Sequence, residues 1–187
     1  MSKTYFSYYS KFVNTNNLIN EINDNVLFHR DNIEISSNEE KVIIQERRGT
    51  SWLSNNKELT FEYSGKVMKP NPIPVCIENI RLKLLENFNI DFDGILVNYY
   101  YDKNSAMGYH SDPIENKWSN NFIVISIGET REFVFREKNN KENKIRYNFG
   151  DGDLIYMYNT CQEFYEHSLR KGKNDNIRIS LVFKKSE

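Results

Sequence analysis

The chain has 187 residues, enough for one domain with a sizeable core. Lys and Arg number 25 against 26 Asp and Glu, so bulk charge argues neither for nor against a nucleic-acid partner, and any anion site must be local. The N-terminus carries no long apolar run, which predicts neither a signal peptide nor a membrane span; a monomeric intracellular protein is the expectation, its two cysteines, Cys76 and Cys161, reduced and without metal-type spacing.

In chain order, Leu18, Ile19, Ile22 and Val26 recur at helical spacing and predict a helix over 17–27, with Thr15 placed to cap it. Residues 31–63 read as short strands and loops, at 33–35, 41–45 and 58–63, closed by a Ser64-Gly65 turn signal. Pro70, Pro72 and Pro74 forbid regular structure. A second amphipathic helix follows, with Ile77, Ile80, Leu84 and Leu85 on its apolar side and Glu78, Arg81, Lys83 and Glu86 on its wet side.

From there the pattern changes to six strand-like runs, at 94–101, 122–128, 132–136, 144–148, 154–158 and 176–184, separated by Gly, Asn and Asp. The stretch 139–144 reads as an exposed loop tip. Helices followed by many closely spaced strands predict an α+β fold with a β-sandwich or jelly-roll core.

Three residues carry the chemistry. His110 and Asp112 stand two apart, and on an extended segment alternate side chains point the same way, so one stretch can offer an imidazole and a carboxylate to one metal. His167 would come from a distant strand; the chain has three histidines in all. Two His and one carboxylate are the donor set that holds non-haem Fe(II) on one face and leaves the other open. A lone His-x-Asp recurs by chance, and a solvated loop is its plain alternative. On the last strand, Arg178, Ser180, Val182 and Lys184 share a face opposite Ile177, Ile179, Leu181 and Phe183. That face is either solvated or turned inward; an inward pair of cations needs an anion, and a dicarboxylate would supply it. Arg178 and Lys184 would lie roughly 20 Å apart on a straight strand.

These residues resemble the AlkB family of Fe(II)- and 2-oxoglutarate-dependent dioxygenases. The matching pieces are Asn98-Tyr-Tyr100, Met107-Gly-Tyr-His-Ser-Asp112, Ser126-Ile-Gly128, Arg131-Glu-Phe133, Gly152-Asp-Leu154, Tyr165-Glu-His-Ser-Leu169 and the segment from Arg178 to Lys184, in family order. A fainter match upstream takes in Arg47-Arg48, Trp52 and Phe61-Glu-Tyr-Ser-Gly65. The resemblance implies a single domain over 1–187, with an N-terminal extension, nucleotide-recognition region of short strands and loops and supporting helix in 1–93 and a double-stranded β-helix (jelly-roll) catalytic core in 94–187. It implies iron on His110, Asp112 and His167, and 2-oxoglutarate on Asn98, Tyr100 and Arg178, with Ser180 and Lys184 beside it. Arg178 would fork onto the distal carboxylate. O2 is the remaining co-substrate.

The implied reaction is oxidative removal of an N-methyl group from DNA or RNA, of the 1-methyladenine or 3-methylcytosine type. Trp52, Phe61 and Tyr63 would wall the base pocket and Tyr109 would line it, although each aromatic is equally at home in a core. Arg47, Arg48, Lys66, Lys69, Arg170, Lys171 and Lys173 are candidates for phosphates or for a solvated surface. Two features depart from the family. Lys184 stands where an Arg is usual and offers charge without a bidentate fork. Pro113-Ile114 stands where some relatives place acidic residues that touch the base, and Glu115 is one position late. A hydroxylase of proteins or small molecules on the same scaffold, and an inert nucleic-acid-binding protein of this fold, are the alternatives.

Overall fold

A computed structural model describes residues 5–37, 40–112 and 117–187. Pro113, Ile114 and Glu115 lie outside the described residues. The elements, in chain order, are β1 (Phe6–Tyr9), α1 (Leu18–Asn25), β2 (Asn32–Ser37), β3 (Glu40–Gln45), β4 (Gly49–Leu53), β5 (Phe61–Tyr63), β6 (Lys66–Met68), α2 (Val75–Phe88), β7 (Gly94–Tyr100), β8 (Met107–His110), β9 (Trp118–Gly128), β10 (Arg131–Glu137), β11 (Lys144–Phe149), β12 (Leu154–Met157), α3 (Cys161–Phe164), β13 (Tyr165–Leu169) and β14 (Arg178–Ser186).

Two antiparallel sheets face each other. The larger has the order β1-β12-β9-β14-β7-β4 and the smaller β11-β10-β13-β8. The two-residue period of the strands sorts the core into two layers. Odd-numbered residues of the central strands, such as Ile95, Val97, Ile125, Ile179, Leu181 and Phe183, pack with Leu18, Ile22, Ile77, Ile80 and Leu84 of the helices. Even-numbered ones, such as Leu96, Tyr100, Phe122, Val124 and Val182, meet Phe133, Phe135, Phe149 and Leu169 of the smaller sheet. The site lies in this second layer. Among the described residues no helix is long and apolar enough to cross a membrane.

Both amphipathic helices form where their spacing predicts. The Thr15 cap does not: the Thr15 hydroxyl donates to Asp151 at 2.5 Å, and the N-cap position falls to Asn17 without a side-chain bond. Helix α2 starts after Pro74 and stops at Asn89, which takes the left-handed conformation Asn tolerates. The outer strands of the larger sheet, β1 and β4, come from upstream of residue 94 and pair with β12 and β7. Strand β1 is fastened by Phe6, whose ring stacks on Phe135 at 3.8 Å.

Two hairpins, β2-β3 and β5-β6, lie outside the main sheets and are joined by the Glu34 amide, which donates to the Ser64 carbonyl at 3.1 Å. The β5-β6 turn has φ of 47° at Ser64 and 73° at Gly65. Positive φ at both central residues is the turn whose twist suits a two-residue hairpin, and Gly65 takes it without strain.

Candidate active site

Strands β8 and β13 pair so that His110 lies directly opposite His167. Their rings sit 4.3 Å apart, and Asp112, two residues beyond His110, brings Oδ2 to 3.7 Å from His167 Nε2. One donor atom from each of His110, Asp112 and His167 lies within 4.8 Å of the others. His110 Nδ1 is 2.9 Å from the Gly108 carbonyl. A carbonyl only accepts, so Nδ1 carries the proton and Nε2 keeps its lone pair for a metal. Phe133 stacks parallel to the His167 ring at 5.4 Å, and the Gln162 side chain accepts the Asp112 amide at 2.9 Å. Burial pushes the His167 imidazole down to about 3, with His110 and Lys184 adding to the effect. Burial alone would raise the Asp112 carboxyl, but Lys184 and the two imidazoles hold it well below the usual carboxylate range. The site is therefore set with neutral imidazole at His167 and ionised carboxylate at Asp112, the forms a metal needs.

Beside the triad, a polar row crosses the centre of the larger sheet. Thr50 on β4 opposes Asn98 on β7, which opposes Ser180 on β14, which opposes Ser126 on β9. All four are buried. Asn98 Nδ2 donates to Ser180 Oγ at 3.3 Å, while Asn98 Oδ1 has no partner. One register step on, Arg178 lies opposite Tyr100 and is 1% exposed. Its Nε donates to Ser126 Oγ at 3.1 Å, and its Nη1 is buried with no partner. Burial lowers the guanidinium to about 10, so it stays cationic at neutral pH. An unpaired buried guanidinium calls for an anion. A cavity of about 480 Å³ joins these groups to the triad; Asn98, Tyr100, His110, Asp112, His167, Arg178 and Ser180 are among its lining residues.

The model of the 2OG-Fe(II) oxygenase superfamily matches residues 4–184. An uncharacterized protein of Acanthamoeba polyphaga mimivirus is 31% identical over 181 residues, 96% of this chain and 92% of that one. Alpha-ketoglutarate-dependent dioxygenase alkB homolog 3 of Mus musculus is 29% identical over 157 residues, 78% of this chain and 54% of that one. DNA oxidative demethylase ALKBH2 of Homo sapiens is 30% identical over 136 residues, 68% and 52% of the two chains. The chain belongs to the AlkB-type 2OG-Fe(II) oxygenases. It spans about half the length of these two mammalian relatives. The solved structure of OsALKBH1 has the same fold, with a TM-score of 0.66 at 15% identity, covering 99% of this chain and all of that one.

This AlkB-type oxygenase is thus an Fe(II)/2-oxoglutarate-dependent dioxygenase, with Fe(II), 2-oxoglutarate and O2 as its cofactor and co-substrates. The residues fit those groups. The triad has the donor chemistry for Fe(II), and Arg178 and Asn98, each with an orphaned buried polar atom, line the same cavity.

Other residues expected from the sequence fall in several places. Phe61, Tyr63 and Arg48 line the cavity. Trp52 does not: it is 0% exposed, its Nε1–H donates to the Leu59 carbonyl at 2.6 Å, and its ring stacks behind Phe61 at 4.7 Å. It supports the wall instead of forming it. Tyr109 is also outside the cavity lining, held between the Arg136 guanidinium at 3.6 Å and that of Arg170 at 5.1 Å. Strand alternation explains this, since its neighbour His110 takes the inward position. Arg47 is exposed and away from the cavity lining; its backbone carbonyl accepts the Ser105 hydroxyl. Lys184 faces inward but reaches Asp112, at 3.3 Å, and does not line the cavity. Gln162 and Glu46 were not singled out by the sequence, and Ser126 entered only as part of the Ser126-Ile-Gly128 match with no contact assigned, because a polar residue carries no sign of what it will touch.

Proposed function

We propose that this AlkB-type oxygenase demethylates alkylated nucleic acid, acting on ring N-methyl groups of the 1-methyladenine and 3-methylcytosine type, and so repairs alkylation damage directly. The observation that carries the reading is the cavity itself. Its lining includes the triad and Arg178 together with Phe61, Tyr63 and Arg48. Two aromatic rings and a guanidinium are the side chains that grip a flat base taken out of its stack. At about 480 Å³ the cavity has the ordinary size of a small-molecule site. The description of the human relative as a DNA oxidative demethylase supports the same substrate class.

In this reading His110, Asp112 and His167 hold Fe(II). Arg178 takes the distal carboxylate of 2-oxoglutarate, and Asn98, Tyr100 and Ser180 line its seat. The bound metal and co-substrate supply the oxidation, in which 2-oxoglutarate and O2 become succinate and CO2 and one oxygen atom goes to the methyl carbon. The hydroxymethyl group then leaves as formaldehyde and the ring nitrogen is restored. Tyr63 and Phe61 orient the base, and the apolar lining of Leu96, Val124, Phe133 and Val182 limits water. We read residues 1–93 as the recognition half and 94–187 as the catalytic half of one domain; the pairing of β4 with β7 supports that unity.

The deciding experiment is mass spectrometry of matched single- and double-stranded DNA and RNA oligomers, each carrying one lesion, incubated with Fe(II) and 2-oxoglutarate. Loss of one methyl mass with formaldehyde release is expected. Inactivity on every oligomer, with succinate formed on a protein or small molecule, would replace this reading with that of a hydroxylase.

A further inference from the structure

Tyr63 and Lys66 are the cross-strand pair that closes the β5-β6 hairpin, and both side chains run to one buried carboxylate, Glu46. Glu46 is 2% exposed. Its Oε1 accepts the Tyr63 phenol. Its Oε2 accepts Lys66 Nζ at 3.1 Å, the Asp31 amide at 3.3 Å and the Thr50 hydroxyl at 3.4 Å. Lys66 Nζ also reaches Thr50 Oγ1 at 2.8 Å and Asp31 Oδ2 at 2.5 Å. A carboxylate so far from water persists only when paired and hydrogen bonded, and losing a partner is strongly unfavourable.

The position of this cluster gives it a consequence for the site. Tyr63 lines the cavity; Glu46 and Lys66 do not. The β5-β6 hairpin has three residues in each strand and, among the described residues, pairs with no other strand. An isolated hairpin of that size is marginal in water, so beyond the backbone bond from Glu34 to Ser64 its place at the cavity depends on side-chain anchors. Thr50, at the far end of the cluster, lies opposite Asn98 in the polar row. The cluster therefore ties Tyr63, in the cavity lining, to the sheet that carries Asn98 and Arg178.

We propose that Glu46 and Lys66 are positioning residues that hold the Tyr63 ring as a fixed wall and so set how tightly the entering group is gripped, without touching metal or co-substrate. The identity of that group as a methylated base rests on the function proposed above; the clamp itself does not.

The test compares wild type with E46Q, K66M and K66R in demethylation of a 1-methyladenine oligonucleotide. Succinate formation without oligonucleotide and amide hydrogen exchange are measured alongside. E46Q and K66M are expected to raise the oligonucleotide KM about tenfold, the equivalent of one lost charged hydrogen bond, while kcat changes less than about threefold. Oligonucleotide-free succinate formation stays at the wild-type rate, K66R recovers most of the KM, and exchange quickens over residues 61–68. Parallel loss of kcat and of uncoupled succinate with an unchanged KM would overturn the proposal, as would wild-type behaviour throughout. If wild type does not process the oligonucleotide, the nucleic-acid reading has failed, and exchange decides the clamp: undisturbed protection over 61–68 in E46Q rejects it and local loss sustains it. Should E46Q not fold, Y63F, which keeps the ring and drops the bond, is held to the same KM and exchange criteria.

Discussion

Lys184 Nζ lies 3.3 Å from Asp112 Oδ1, while Asp112 Oδ2 faces His167 Nε2 at 3.7 Å. One carboxylate oxygen is thus held by a cation and the other is turned to the ligand set. Lys184 is 0% exposed and sits 4.0 Å from the centre of the Phe122 ring. In the structure it bonds a residue of the candidate triad, a contact that a point charge makes without a fork.

Breaking a buried ion pair leaves one charge stranded, at about 3–5 kcal/mol. Lys184→Met is therefore expected to destabilise the metal-free protein by about 3 kcal/mol, and Asp112→Asn added to it should recover much of the loss. Urea unfolding of the two single variants and the double variant gives the coupling. Additive losses would show that the two residues act independently. The same pair makes His110→Ala the cleaner knockout of turnover. Asp112→Ala would strand Lys184 and lower stability as well, and a formaldehyde yield from His110→Ala equal to wild type would contradict the iron assignment.

Nη1 of Arg178 is buried with no partner. A charge-assisted bond to a carboxylate is worth about 1.5–3 kcal/mol, so Arg178→Gln should raise the 2-oxoglutarate KM by about tenfold to a hundredfold. The co-substrate analogue N-oxalylglycine with Mn(II) should stabilise wild type against heat and stabilise this variant much less. Equal thermal shifts would place the distal carboxylate elsewhere.

The sequence made some of this legible and not the rest, for physical reasons. Helix α2 shows a 3.6-residue period because one side packs and the other is wet. Strand β14 shows a period of two, which put Arg178, Ser180 and Lys184 on one face. What the charges on that face meet depends on strands 50 to 90 residues away in sequence. Strand β4, Gly-Thr-Ser-Trp-Leu, is buried at all five positions and shows no alternation, so nothing local marks it as a strand. Glu46 reads as a solvated acid until Tyr63 and Lys66 are brought over it. The ligand strands β8 and β13 are short and polar, and were visible only through their chemistry.

Trp52 illustrates the same limit, since an aromatic that stacks on a base and one that fills a core look alike in sequence. Its indole packs between Phe61, at 4.7 Å, and Trp118, at 5.4 Å. A Cβ placed on Gly94 would come within 2.3 Å of the indole, so there is no spare room. Trp52→Phe loses the bond to Leu59 and some volume, and is expected to cost about 2 kcal/mol with an oligonucleotide KM close to wild type. Denaturant midpoints and steady-state kinetics separate the two effects. A KM rise without loss of stability would return Trp52 to the wall.

His167 gives the metal-free protein an acid limit. Its imidazole is pushed from 6.5 to about 3, first by burial. Between those values the unfolded chain binds a proton that the folded chain refuses, so stability rises with pH across the window, is fully present above 6.5 and is lost as pH falls towards about 3. Asp112 has the same sign. Its carboxyl is held low by Lys184 and the imidazoles against the effect of burial, so its contribution is present above the usual carboxylate value of 3.8 and declines below it. On acidification from neutral pH, His167 acts first. One such group contributes at most about 1.4 kcal/mol per pH unit. Urea unfolding of chelator-treated protein from neutrality down to about pH 4.5 should therefore show a falling midpoint, and His167→Gln should make that fall shallower. An equal slope in the variant would mean that some group other than His167 limits the fold in acid.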